Sequence, residues 1–135
     1  MNRKIFPFQK WEPTASVDNV YDIDAVVQDK NGLTLTLVPD NLDYCKRSEH
    51  KLIIRWEYPI SYHISNESIR EDCWISDPDE AWTFFFGHSS SYIDHFKTNA
   101  VLFPQNVIHF LIRGTNYIAD ILSTDYPYIT IQKNQ

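Results

Sequence analysis

Val20-Tyr21-Asp22-Ile23-Asp24-Ala25-Val26-Val27-Gln28, followed after Asn31-Gly32 by Leu33-Thr34-Leu35-Thr36-Leu37, is the stretch that decides the fold. Tyr21, Ile23, Ala25 and Val27 share one parity, and the three leucines alternate with threonines, which is the two-residue period of strands. Asn-Gly between two such runs is a hairpin signal. A two-residue Asn-Gly loop would oppose Val27 to Thr36 and put the two apolar rows on opposite faces. A three-residue loop, Lys30-Asn31-Gly32, opposes Val27 to Leu35 and Ala25 to Leu37, with Gly32 at positive φ in a bulge. That second register is the expectation, because one face must be buried and only Gly takes the required conformation without penalty.

Outward from the hairpin the same period returns. Leu52, Ile54, Trp56, Tyr58, Ile60, Tyr62 and Ile64 are all apolar at even positions, a longer alternation than one ordinary strand. Pro59 has no amide donor for a ladder, so it predicts a bend or an edge strand and divides the run into two consecutive segments. Residues 65–80 lose the period and read as a loop with one helical turn around Ile69 and Cys73. Trp82 to Phe86 is a strand ending at Gly87. Ser91-Tyr92-Ile93-Asp94 fits a capping box that starts a short helix, with Tyr92, Ile93, Phe96 and Ala100 on one face. Val107 to Arg113 is apolar on both parities except at His109, the pattern of a central strand. Tyr117 to Ser123, carrying Asp120, and Tyr128 to Ile131 complete the strands, and the first 15 residues form an irregular arm. The expected fold is a single α+β domain over 1–135, with a mainly antiparallel sheet of about six strands and one or two short helices.

Composition limits the function classes. Twelve Lys plus Arg against 18 Asp plus Glu give a net charge of −6, and no basic cluster stands clear of acids. Nucleic acid is therefore not an expected partner. No apolar run is long enough to span a membrane or to act as a signal peptide, so the expectation is a cytoplasmic protein with Cys45 and Cys73 reduced.

Catalytic and metal motifs are sparse. Ser89, Ser90 and Ser91 lie near His88, Asp94 and His95 in sequence, but there is no G-x-S-x-G elbow and serines before a helix read as caps. No H-x-x-x-H or C-x-x-C spacing occurs, and the three glycines are isolated, so neither a metal, a phosphate cradle nor another cofactor is expected. His109 in a buried strand reads as a hydrogen-bonded structural imidazole, and His63 shares its parity with outward-facing Ser61. The one informative concentration of charge is Glu67, Glu71, Asp72, Asp77, Asp79 and Glu80, which face a single cation, Arg70, with Trp74 among them. Acids around an aromatic suit a docking surface that steers a basic partner and then buries an anchor.

From about residue 82 to 131 the order of features resembles small bacterial immunity proteins of polymorphic toxin loci. The residues that carry this are Trp82 to Phe86, the Ser-Tyr-Ile-Asp-His-Phe helix at 91–96, Ile108 to Ile112, Asn116, Ile118 to Ser123 and Pro127, with Trp11-Glu12-Pro13 adding slightly. The resemblance implies a non-enzymatic protein that binds a cognate toxin and blocks its active surface, commonly through an acidic face when the toxin is a basic nuclease. The partner-binding residues expected are Glu71, Asp72, Trp74, Asp77, Asp79 and Glu80. The competing expectation is a small hydrolase or a small-molecule-binding α+β domain with an aromatic-lined pocket.

Overall fold

The computed structural model describes residues 7–14, 20–40, 50–70 and 82–133. Within them the chain forms β1 (Gln9–Lys10), β2 (Tyr21–Asp29), β3 (Gly32–Pro39), β4 (His50–Trp56), β5 (Ser61–Asn66), β6 (Phe84–Gly87), α1 (Ser91–Asn99), β7 (Ile108–Arg113), β8 (Tyr117–Ser123) and β9 (Tyr128–Lys133). A 3-10 turn, Glu67–Ile69, follows β5. All strand pairs are antiparallel, in two sheets ordered β1-β6-β7-β8-β5 and β2-β3-β4-β9. The expectation of a mainly antiparallel α+β chain holds, but nine strands in two sheets replace about six in one.

The second sheet follows from Pro59. The even-position row is buried on either side of it, with Leu52, Ile54 and Trp56 in the core from β4 and Tyr62 and Ile64 packed on the same core from β5, but it is interrupted at the proline, where Tyr58 and Ile60 are exposed. Residues 57–60 break the ladder, and the chain crosses from the four-stranded sheet to the edge of the five-stranded one, where Ile60 N donates to Leu122 O at 2.7 Å. The core lies between the sheets. It joins Tyr21, Ile23, the three leucines of β3, Leu52, Ile54 and Trp56 to Phe84, Ile108, Phe110, Ile112, Ala119 and Ile121. Trp11 from the arm seals it, its ring 5.3 Å from that of Phe110.

The hairpin register is a correction. Val27 pairs with Thr34, Val26 with Leu35 and Asp29 with Gly32, so the loop is Lys30-Asn31. A bulge between Ile23 and Ala25 inserts Asp24 and changes parity, so that Tyr21 and Ile23 face inward while Val27 is left half exposed. The expectation required one uninterrupted parity, and the bulge supplies the switch. Gly32 does take positive φ, 111°, and a Cβ there would run into the Trp56 carbonyl oxygen. β3 can approach β4 so closely because this position has no side chain.

Candidate functional site

Side chains alternate across the five-stranded sheet, and the central strand sorts them. Ile108, Phe110 and Ile112 of β7 enter the core, while His109, Leu111 and Arg113 emerge on the outer face. Among the described residues two elements cover that face. The arm lays Phe8 over Phe85, Leu111 and Ile118, and α1 lays Ile93, Tyr92 and Phe96 over Val107 and Leu122. Between these two apolar patches lies a chain of polar groups drawn from four segments.

Its centre is Asp120. The β7–β8 register pairs His109 with Leu122 and Leu111 with Asp120, so His109 and Asp120 are diagonal neighbours on the outer face. His109 Nε2 lies 2.6 Å from Asp120 Oδ1, and its Nδ1 lies 2.7 Å from Ser90 Oγ. Arg70, just beyond the 3-10 turn, donates from Nη1 to Asp120 Oδ2 at 2.5 Å and to Ser65 Oγ at 3.0 Å. Burial raises the pKa of Asp120. The hydrogen bonds and charges of His109 and Arg70 outweigh it and hold the carboxyl below its ordinary 3.8. An ionised carboxylate only accepts, so His109 Nε2 donates to it; in the neutral imidazole Nδ1 then accepts the Ser90 hydroxyl proton. Ser90 Oγ also accepts from Ile93 N at 3.1 Å as the N-cap of α1.

Rings bracket the histidine. Phe8 stands edge-on at 4.7 Å and Tyr92 at 5.4 Å between ring centroids. Gly87 admits the first of these, because a Cβ there would meet Pro7 O at 2.9 Å and Phe8 Cδ1 at 3.1 Å. Tyr92 Oη is 2.8 Å from Ser61 Oγ. Burial pushes its phenol pKa up, and the negative charge of Asp120 adds to this against the opposing Ser61 hydrogen bond.

The expectation of a hydrogen-bonded His109 in a buried strand is met: the residue is 3% exposed and bonded at both ring nitrogens. His63 is exposed on edge strand β5, opposite Asp120 in register. Ser90 caps the helix, one residue earlier than the Ser91 capping box anticipated, and Ala100 is an exposed C-cap outside the packed face. The serine engages His109 and neither His88 nor His95. Glu71, Asp72, Trp74, Asp77, Asp79 and Glu80, with Cys45 and Cys73, lie outside the described residues. Sequence reasoning missed the joining of Ser90, His109, Asp120 and Arg70. A signal existed in the tight turn at Gly114-Thr115-Asn116, which fixes the β7–β8 register and so brings a lone His and a lone Asp of two apolar strands together.

Serine, imidazole and carboxylate in series can relay a proton, and the same order serves nucleophilic hydrolysis. Here Arg70 also neutralises the carboxylate. Among the described residues no three His, Cys, Asp or Glu side chains converge to hold a metal, and no helix is long and apolar enough to cross a membrane. No family model, no curated protein and no solved structure matches the chain.

Proposed function

We propose that the protein is a non-enzymatic binding domain, an immunity protein that neutralises a basic cognate toxin by covering its active surface. One observation carries the reading. Arg70 is the single cation of the run Glu67 to Glu80, and its guanidinium is directed to Asp120 on the sheet. The six carboxylates of the run thus share one cation, and the buried Asp120 carboxylate engages that cation as well. The described residues that flank 71–81 are tied to the sheet, Arg70 through Asp120 and Trp82 through its Nε1, which donates to Trp11 O at 2.9 Å, and its carbonyl, which accepts from Arg113. A net charge of −6 adds long-range attraction for a basic partner. Glu71, Asp72, Asp77, Asp79 and Glu80 would then guide the encounter and Trp74 would supply the buried anchor.

The test is capture of partners on the tagged protein in its native host, followed by expression of each partner with and without it. A stoichiometric partner that is toxic alone and harmless when co-expressed is the expected result. Repeated captures under toxin-expressing conditions that yield no such protein would sink the reading.

A second reading, a serine hydrolase, is favoured by the Ser90–His109–Asp120 geometry alone. Against it stand the Arg70 pairing of the carboxylate, the use of Ser90 Oγ as a helix cap, and the two rings over His109. A fluorophosphonate probe separates the two readings: covalent labelling lost in Ser90→Ala would support the hydrolase, and an unlabelled protein the binding domain.

A further inference from the structure

The two sheets have four edges, and three carry features that discourage further pairing. β1 is two residues long; β2 carries the bulge at Asp24 together with Asp22 and Asp29; and β5 is entered through Pro59 and turns polar side chains, Ser61, His63 and Ser65, to the outer face. β9 carries only one such feature, Lys133 at its last position. Its six residues, Tyr-Ile-Thr-Ile-Gln-Lys, pair with β4 in unbroken register, contain no proline, bulge or acid, and have no strand on their far side among the described residues. Apolar surface accompanies this open edge: Tyr128 is 56% and Ile131 38% exposed.

We propose that β9 pairs with β9 of a second copy of this chain, joining the two four-stranded sheets into one continuous antiparallel sheet across a twofold axis. The sequence of the strand is self-complementary in that register. With Thr130 opposite the partner's Thr130, Ile129 meets the partner's Ile131 on the inward face and Tyr128 meets the partner's Gln132 on the outward face. Isoleucine thus opposes isoleucine on the inward face, and a Thr–Thr pair sits on the axis. Charge selects the same place. The chain is strongly acidic, yet no acid occurs from Tyr126 to Lys133, and Glu57, which accepts from Tyr128 Oη at 3.3 Å, lies at the start of the strand, so the antiparallel register puts the two copies' Glu57 at opposite ends. Pairing one six-residue strand is a small interface, below the roughly 1,200 Å² of standard complexes, so the dimer is weak and concentration-dependent.

Sedimentation over a hundredfold range of concentration tests this. The wild-type chain should pass from monomer to dimer, whereas Thr130→Lys and Thr130→Glu should each remain monomeric, since like charges would meet on the axis. Mixing the two variants should restore the dimer. Thr130 is exposed, so both variants keep the fold, which circular dichroism verifies. In a chain with Cys45→Ser and Cys73→Ser, Thr130→Cys should form an intermolecular disulfide and Thr124→Cys should not. A chain that stays monomeric throughout, or a dimer that survives Thr130→Lys, would overturn the proposal.

Discussion

Asp120 accepts from His109 and Arg70 at a position 3% exposed, so the value of its carboxylate depends on both donors remaining in place. Removing the charge from one side of a buried pair strands the other charge. Asp120→Asn should lower unfolding stability at neutral pH by about 3 kcal/mol, read from urea denaturation. The acid limb should change as well. Because the folded-state pKa is depressed, the contribution of Asp120 is fully present above the ordinary 3.8 and is lost as pH falls through the lower folded value. Stability of the wild-type chain should therefore decline across that interval, and the decline should be shallower in Asp120→Asn. Gly32 makes a different demand, on backbone space. At φ 111° and against the Trp56 carbonyl, Gly32→Ala should cost about 2 kcal/mol or more in the same assay. A loss below about 0.5 kcal/mol would show that β3 and β4 are not held at the distance described.

At the scale of elements, α1 depends on one side chain for its start and its attachment. Ser90 caps the helix through Ile93 N and ties it to β7 through His109. Ser90→Ala should therefore exceed the about 1 kcal/mol of an ordinary lost cap, approaching 2 kcal/mol because an imidazole nitrogen is left without its partner. Double-mutant analysis with His109→Phe should show the two changes to be non-additive, which independent roles would not produce. Most elements were legible in the sequence, because alternations such as Leu52 to Trp56 record a buried face directly. The division into two sheets was not, since Pro59 announces a break without giving the direction in which the chain leaves it. The β2 register was hidden for a related reason: a bulge at Asp24 changes parity without a glycine or proline to mark it. The polar cluster was half legible. His109 and Asp120 stood out as lone polar residues in apolar strands, whereas Arg70 reached them from a loop whose residues carry no period.

Over the whole molecule, charge and architecture divide the work. The five-stranded sheet, covered by α1 and the arm, holds the Ser90–His109–Asp120–Arg70 cluster; among the described residues the four-stranded sheet has no strand beyond β9. In the binding reading, the field of a −6 chain speeds encounter while the local anchor sets the lifetime of the complex. The two contributions separate by salt, because screening acts on exposed charges over about 10 Å at moderate ionic strength and hardly at all on a buried ring. Trp74→Ala should therefore raise the dissociation rate at every salt concentration and leave the association rate nearly unchanged. The most direct measurement is the association rate of the captured partner with the wild-type chain and with Asp77→Lys/Glu80→Lys, followed by stopped flow from low to high salt. The account predicts a rate at least tenfold lower for the double variant at low salt and a flatter dependence on ionic strength. Identical rates and identical salt slopes would contradict it and remove the acidic run from the recognition surface.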